Sequence, residues 1–231
     1  MTASRRVLYS REVEDSIPPA EASIGSAHSL EVEIGNQLRP RPATSRIDRS
    51  AEDAALAWVR RGMRDEALKL LMTAYGARLH AFAVRVLRDR ELAKDVRQQV
   101  FLEAFQGIGR FEGRSSLWGW LCGIAYHRCL DELRRQKRSG ALDDIDVLDV
   151  LDAHGDVTLD PERMAKYRAL EHCLAALSPA LRAQVLMRHC FDMSFLEIAK
   201  TVGDAHGTIQ VRVARILPRL RRCLSSEGIT R

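Results

Sequence analysis

The segment 193–217, MSFLEIAKTVGDAHGTIQVRVARIL, contains two short amphipathic runs separated by one glycine. Ser194 and Glu197 have the spacing of a capping box, which predicts the start of a first helix, and Gly203 predicts its end. In the second run, apolar residues recur at helical spacing and form one buried face: Ile209, Val213 and Ile216. Two short helices joined by a glycine turn predict a helix-turn-helix.

The outward side of the second helix carries small and basic side chains, which allow a helix to lie deep in the major groove of DNA. We expect Gln210, Val211 and Arg215 to approach base edges, while Arg212 and Arg219 lie nearer the phosphates. The full set of candidate DNA contacts on this side is Gly207, Thr208, Gln210, Val211, Arg212, Arg215 and Arg219.

Composition bounds the fold class. The chain of 231 residues is 46% hydrophobic, only 6% aromatic and rich in alanine, leucine and arginine, which predicts an all-α fold. No apolar run approaches the roughly 20 residues that cross a bilayer, and the first residues lack the apolar segment of a secretory signal. We therefore expect a cytoplasmic protein without membrane insertion.

The net charge of +5 is unevenly distributed along the chain. Residues 51–138 and 162–231 each carry +6, whereas residues 139–161 carry −7 and contain glycine, aspartate and a closing proline. This connector is typical of a flexible acidic linker, either a solvated spacer or an acidic strand that mimics nucleic acid in a basic channel. We predict two small helical domains joined by that linker, the second containing the helix-turn-helix, and a disordered or weakly structured extension at 1–50.

A second candidate surface lies on the predicted helix in residues 91–111. Its buried side is formed by Leu92, Val96, Val100 and Ala104. The opposite side carries less charge than most solvated faces and includes an outward leucine: Asp95, Gln98, Gln99 and Leu102. The periodicity leaves open both a protein-binding surface and an ordinary exposed face.

Aromatic and cationic side chains alternate along residues 107–138. Aromatic rings stack on unpaired bases of any sequence and arginines neutralise phosphates, so this combination suits single-stranded nucleic acid. The helical phase of Trp120 predicts a core position, whereas we expect Trp118 and the preceding loop to face the nucleic acid. The residues that carry the pattern are Arg110, Arg114, Trp118, Tyr126 and Arg128.

Five cysteines without paired short spacings fit a reducing compartment better than a disulfide framework. The pairs His172-Cys173 and His189-Cys190 lack the usual spacing of zinc ligands, so each cysteine is predicted to be a small buried residue. We find no nucleophile and base at motif spacing, no phosphate-binding glycine loop and no cluster of metal ligands. We therefore expect no catalytic residue, no cofactor and no metal.

Three segments resemble the conserved blocks of bacterial extracytoplasmic-function (ECF) sigma factors. They are DRELAKDVRQQVFLEAF, RFEGRSSLWGWLCGIAYHRCLDELRR and LSPALRAQVLMRHCFDMSFLEIAKTVGDAHGTIQVRVARI. They occur in the family's order, with a linker of familiar length, and the resemblance spans residues 51 to about 224. It implies a two-domain sigma factor that gives RNA polymerase its promoter specificity and makes or breaks no bond. Control by an anti-sigma factor is left open.

The resemblance also implies roles for the candidate surfaces. The face of Asp95, Gln98, Gln99 and Leu102 corresponds to the contact with the clamp helices of the largest polymerase subunit, and the polymerase flap is a further expected partner. The helix-turn-helix corresponds to the reader of the minus-thirty-five element of promoter DNA. The reader of the melted minus-ten element corresponds to the set Arg110, Arg114, Ser115, Trp118, Tyr126, His127 and Arg128.

Several positions depart from the family pattern. Gln99 stands where glutamate is usual, and His127 stands where asparagine is common. In the second helix, GTIQVR replaces the commoner Gly-Thr-Val-Lys-Ser-Arg. The promoter sequence therefore does not transfer from the family to this chain.

Two other classes of protein remain open at this point. A stand-alone helix-turn-helix regulator would bind duplex DNA without polymerase, but it would not need the block of residues 95–135. A metal- or thiol-sensing module would depend on the cysteine and histidine pairs.

Overall fold

In the computed structural model, the described residues are 49–139 and 161–229, and they form eight α-helices, one 3₁₀ turn and no strand. The all-α prediction is confirmed. The extension predicted at 1–50 and the linker predicted at 139–161 fall almost wholly outside the described residues. The helices are α1 (Arg49–Arg60), α2 (Arg64–Leu87), α3 (Arg90–Gly107), α4 (Leu117–Ser139), α5 (Pro161–Ala175), α6 (Pro179–His189), α7 (Phe195–Val202) and α8 (His206–Ser226), with the 3₁₀ turn at Ile108–Arg110.

The first group of helices is built around α2, which packs against α1, α3 and α4. Gly62, with φ of +78°, separates α1 from α2, as its backbone freedom predicts. The side chain of Asp89 accepts a hydrogen bond of 2.9 Å from the Leu92 amide and so caps the start of α3. The apolar stripe of α2 fills the core with Leu71, Tyr75, Leu79 and Phe82, all at most 1% exposed.

The second group, α5 to α8, contains the helix-turn-helix. Both hydrogen bonds of the capping box between Ser194 and Glu197 are present, and Gly203 ends α7 in the left-handed region. The three apolar residues predicted to fix the second helix, Ile209, Val213 and Ile216, are buried. Pro218 lies inside α8, which nevertheless continues to Ser226. The local signals in the sequence therefore predicted this motif correctly.

The two groups of helices share one continuous hydrophobic core. Helix α4 packs against α6 and α7, and α2 packs against α6. The uneven distribution of charge along the chain predicted two helical units. It did not predict the contact between them.

Two of the five cysteines form a disulfide, contrary to the expectation of free thiols. Cys173 of α5 and Cys223 of α8 are 50 residues apart in the sequence, and their Cα atoms lie 5.8 Å apart. Packing of the two helices brings them together, so no short spacing could have revealed the pair. Among the described residues the free cysteines are buried: Cys122, Cys129 and Cys190. Burial raises the pKa of the Cys190 thiol to about 12.

Within the described ranges, no helix has the length and apolar character needed to span a membrane.

Candidate polymerase and promoter surfaces

The outward side of α3 is a continuous exposed stripe. Leu102 is 56% exposed, and Phe105, one turn later, is 37% exposed. An exposed pair of large apolar side chains is typical of a protein-binding patch. Sequence reasoning missed Phe105, although its spacing of three residues from Leu102 could have identified it. We call the α3 face the set of exposed residues Asp95, Gln98, Gln99, Leu102 and Phe105.

The loop between α3 and α4 is exposed in its middle and anchored at its ends. Ile108 is fully buried, and the ring of Phe111 lies 5.4 Å from that of Trp120. Gly113 has φ of +69°, a conformation that favours glycine. Arg110 and Arg114 are exposed, and Arg114 pairs with Glu112. The loop is therefore anchored by its apolar residues while its arginines are exposed to solvent.

The structure reverses the expectation for the two tryptophans. Trp118 is fully buried, with its ring 5.2 Å from that of Tyr75 and 5.0 Å from that of Phe191. The guanidinium of Arg78 lies 4.4 Å from its centroid. Trp120 is only half-buried. The expectation that Trp118 faces nucleic acid is therefore wrong for this arrangement of the chain.

The reason is the start of α4, which begins at Leu117 and therefore includes Trp118. Trp118 is already helical, and its phase is that of the buried side of the helix. Tyr126, which was also expected at the DNA surface, is 6% exposed and shares that burial. The inward residues are Trp118, Leu121, Cys122, Ala125, Tyr126 and Cys129.

Two of the candidate residues on α4 remain at the surface. His127 and Arg128 are exposed, and Arg128 pairs with Glu103 of α3. Ser115, in the loop, is half-buried. The exposed part of the candidate minus-ten surface therefore consists of the loop cations and these two helical residues.

The candidate DNA side of α8 is open. Its members Gly207, Thr208, Gln210, Val211, Arg215 and Arg219 are all exposed. Val211 is 48% exposed, so an apolar side chain lies beside the arginines on this side. Arg212 is half-buried and pairs with Asp204, which orients its guanidinium. The N-cap position of α8 is occupied by Ala205.

Two family models match the chain, one for sigma-70 region 2 at residues 71–139 and one for sigma-70 region 4 at residues 167–220. Together they cover more than half of its length. The chain is also 31% identical over 154 residues to the ECF RNA polymerase sigma factor SigM of Mycobacterium tuberculosis, across 67% of this chain and 75% of that protein. The chain belongs to the ECF sigma factors of the sigma-70 family.

Other similar proteins agree with this assignment. The RNA polymerase sigma-H factor of Pseudomonas aeruginosa is 28% identical over 165 residues, which cover 68% of this sigma factor and 85% of that protein. The sigma factor RpoE of Bartonella quintana, solved in complex with the anti-sigma factor NepR, has a TM-score of 0.53 at 24% identity, across 72% of this chain and 98% of that one. CnrH, solved in complex with the cytosolic domain of CnrY, has a TM-score of 0.55 at 19% identity, across 76% and 98%. At these identities the two structures show likeness of fold alone.

In this sigma factor a buried ion pair joins region 2 to region 4. Arg85 of α2 donates from Nε to Glu171 of α5 at 2.9 Å, and both side chains are at most 3% exposed. Arg85 also donates to the hydroxyl of Tyr167 and, at 3.5 Å, to Sγ of Cys190. Burial alone would lower the pKa of Arg85, but the neighbouring Tyr167 and Glu171 outweigh it and raise that pKa. Arg85 therefore stays protonated inside the core, where Glu171 and Tyr167 accept its hydrogen bonds.

A second buried arginine, Arg182, hydrogen-bonds to the C-terminal ends of two helices. Arg182 of α6 donates to the carbonyl oxygens of Arg85 and Val86, in the last turn of α2, at 3.1 and 3.2 Å. It also donates to the carbonyl oxygens of Leu174 and Ala175 at the end of α5 and of Leu177 just after it, at 2.9 to 3.0 Å. Burial lowers the pKa of Arg182 to about 10, so the guanidinium stays protonated at neutral pH. A cation at a helix C-terminus complements the helix dipole, and here one cation serves both regions.

Region 4 also contacts the candidate minus-ten loop and the start of α4. Lys200 of α7 donates to the carbonyl oxygen of Arg114 at 3.2 Å, and the hydroxyl of Thr201 donates to that of Gly119 at 3.5 Å. Gly123 lies against the methyl group of Thr201, where an added Cβ would be 3.6 Å away. The first helix of the helix-turn-helix therefore rests on the N-terminal half of α4. No local pattern predicts these contacts, because their partners are more than 80 residues apart in the chain.

The pairs His172-Cys173 and His189-Cys190 do not form a common metal site. His172 is exposed and lies 3.6 Å from Glu227, whereas His189 is buried. Among the described residues, no group of three or more histidine, cysteine, aspartate or glutamate side chains could hold a metal ion.

Proposed function

We propose that this sigma factor binds core RNA polymerase through the α3 face, reads the minus-thirty-five element with α8 and captures the melted minus-ten element with the loop before α4. One observation carries the proposal. A helix-turn-helix with an open reading side is joined, in one chain, to a second helical unit with an exposed apolar stripe and a cationic loop. A stand-alone regulator of duplex DNA needs only the first of these.

The proposed work is binding rather than catalysis, in the cytoplasm where polymerase acts. Unstacking a base costs roughly a few kcal/mol, and contacts to the extruded base and its phosphate offset that cost. No bond is made or broken by the sigma factor in this scheme, so we infer that it is not an enzyme.

The first test concerns the α3 face. We expect the double substitution Leu102→Arg and Gln98→Ala to weaken binding to core polymerase by roughly 30-fold or more, because it places a cation at the centre of an apolar contact. Binding is measured by fluorescence anisotropy with labelled sigma factor, and circular dichroism checks the fold. Met72→Arg is the matched control, since Met72 is similarly exposed, at 48%, but lies on α2. Wild-type affinity in the double variant would reject the α3 face as the polymerase contact.

The minus-ten surface is proposed to consist of Arg110, Arg114, Ser115, His127 and Arg128. Four of these are exposed and three are arginines, of which Arg110 and Arg114 lie in or next to the glycine-containing loop and Arg128 lies on α4. With Trp118 in the core, the half-buried aromatic residues next to this set are Phe111 and Trp120, whose rings lie 5.4 Å apart.

The minus-thirty-five surface separates residues that read bases from residues that hold the backbone. We expect Arg215→Ala to cost about 1 to 3 kcal/mol and to relax preference at one base pair, because a good bidentate arginine contact distinguishes bases by that amount. Arg219→Ala should instead weaken all sequences alike and reduce the salt slope by roughly one. Holoenzyme binding to element variants at several salt concentrations measures both. If Arg215→Ala lowers affinity equally for every variant, Arg215 is a phosphate contact.

We infer that the two regions separate when both elements are bound. The elements are centred about 25 base pairs apart, which is roughly 85 Å of duplex at about 3.4 Å per base pair. In the arrangement described above, α7 is in direct contact with α4. The two DNA surfaces therefore cannot reach both elements until that contact is broken.

A further inference from the structure

The carboxylate of Glu52 lies buried where α1 meets α4. Glu52 is 9% exposed. Its Oε1 accepts a hydrogen bond of 2.7 Å from the backbone amide of Trp118 and one of 3.3 Å from the hydroxyl of Tyr75. A carboxylate is rarely buried unless it is paired or hydrogen-bonded, and here the shorter bond goes to the backbone at the start of another helix.

That position makes Glu52 a remote cap of α4. The first amides of a helix have no partner inside the helix and carry the positive end of the helix dipole, so a carboxylate is favourable there. Ser116 supplies the local cap, because its hydroxyl accepts from the Gly119 amide at 3.0 Å. Glu52 accepts from the amide one residue earlier. The N-terminus of α4 is thus fixed by one cap from its own chain segment and by one from α1.

The same N-terminus is the end of the candidate minus-ten loop. At the other end of the loop, the guanidinium of Arg64 packs so closely on Gly109 that an added Cβ would lie 2.6 Å from Nη2. Arg114 and Ser115 come directly before the capping residue Ser116. Their backbone position therefore depends on where α4 begins and on how firmly that start is held.

We propose that Glu52 is a positioning residue for the minus-ten surface: by capping α4 it holds Arg114 and Ser115 in the geometry that binds unpaired bases. The inference rests on the proposed function and extends it to α1, which precedes the segment 71–139 matched by the region 2 model. Glu52 touches no DNA in this scheme and acts through the helix that it caps.

The test uses the full chain assembled with core polymerase and a forked promoter fragment whose minus-ten strand is unpaired. Glu52→Ala is expected to weaken binding of the fragment about tenfold, which equals about 1.4 kcal/mol and is within the range for loss of a helix cap. Glu52→Gln keeps an acceptor oxygen but loses the charge, so its loss should be smaller. Asp53→Ala, at the exposed neighbouring position on α1, should bind like the wild type.

Core affinity, measured in parallel, separates positioning from a purely structural role. All three variants should bind core polymerase as the wild type does, because Glu52 bonds to the start of α4 and to Tyr75 of α2, whereas the proposed polymerase contact lies on α3. If core affinity falls by the same factor as binding of the fragment, or if Glu52→Ala binds the fragment normally, the inference is overturned. If Glu52→Ala does not fold, Glu52→Gln is tested in its place. Wild-type binding of the fragment by Glu52→Gln would then overturn the inference. Failure of the wild-type holoenzyme to bind the fragment would instead overturn the proposed function, and the inference with it.

Discussion

Replacing Trp118 by alanine is expected to lower the free energy of unfolding by about 3 to 5 kcal/mol, the usual cost of truncating a large buried aromatic residue. The indole is fully buried between Tyr75 and Phe191, with the Arg78 guanidinium over its face. Removing it would leave a cavity in the core that α2, α4 and the segment after α6 share. It would also strip Arg78, itself 6% exposed, of its closest aromatic partner.

Urea unfolding followed by circular dichroism measures this loss. Trp120→Ala is the matched control on the same helix, and we expect a smaller loss because its ring is only half-buried. The result distinguishes two roles for Trp118 that the sequence alone did not separate. Near wild-type stability combined with weak binding to pre-melted promoter DNA would contradict the core assignment and restore a role in base stacking.

The error over Trp118 shows where sequence reasoning was weakest. Glycines and serines before Leu117 marked a loop, but they did not show at which residue the helix begins. A boundary two residues later would leave Trp118 in the loop, whereas in the structure it lies inside the helix and on its buried side. The helix-turn-helix was predicted accurately because its boundaries carry their own chemistry: a capping box at Ser194 and a glycine in the left-handed region at Gly203.

The contacts between regions 2 and 4 could not be predicted for a different reason. Arg85 and Glu171 are 86 residues apart, and each belongs to a helix whose own periodicity is satisfied without the other. A buried arginine also looks like a surface arginine in a sequence. The disulfide between Cys173 and Cys223 was missed on the same grounds, because only the packing of α5 on α8 brings the two residues together.

Glu171→Ala is expected to lower the free energy of unfolding by about 3 to 5 kcal/mol, because it leaves the buried Arg85 guanidinium without its counter-charge. Glu162→Ala is the matched control on α5. Glu162 pairs with Lys166 at the surface, where an ion pair is worth about 0.3 to 0.5 kcal/mol. Replacing both partners by apolar residues, Arg85→Met with Glu171→Leu, should recover most of the loss, since an uncompensated charge no longer remains.

The size of the Glu171 effect also reports on how the two regions are arranged in the free protein. If regions 2 and 4 are already apart in solution, Arg85 and Glu171 are solvated, and the substitution should cost less than about 1 kcal/mol, as for other exposed pairs. A cost of several kcal/mol requires that the pair be buried, and hence that α2 and α5 be in contact. Opening on promoter DNA must then break the same pair. Glu171→Ala should therefore destabilise the free protein without weakening the binding of holoenzyme to a promoter that carries both elements, whereas Trp118→Ala should impair both.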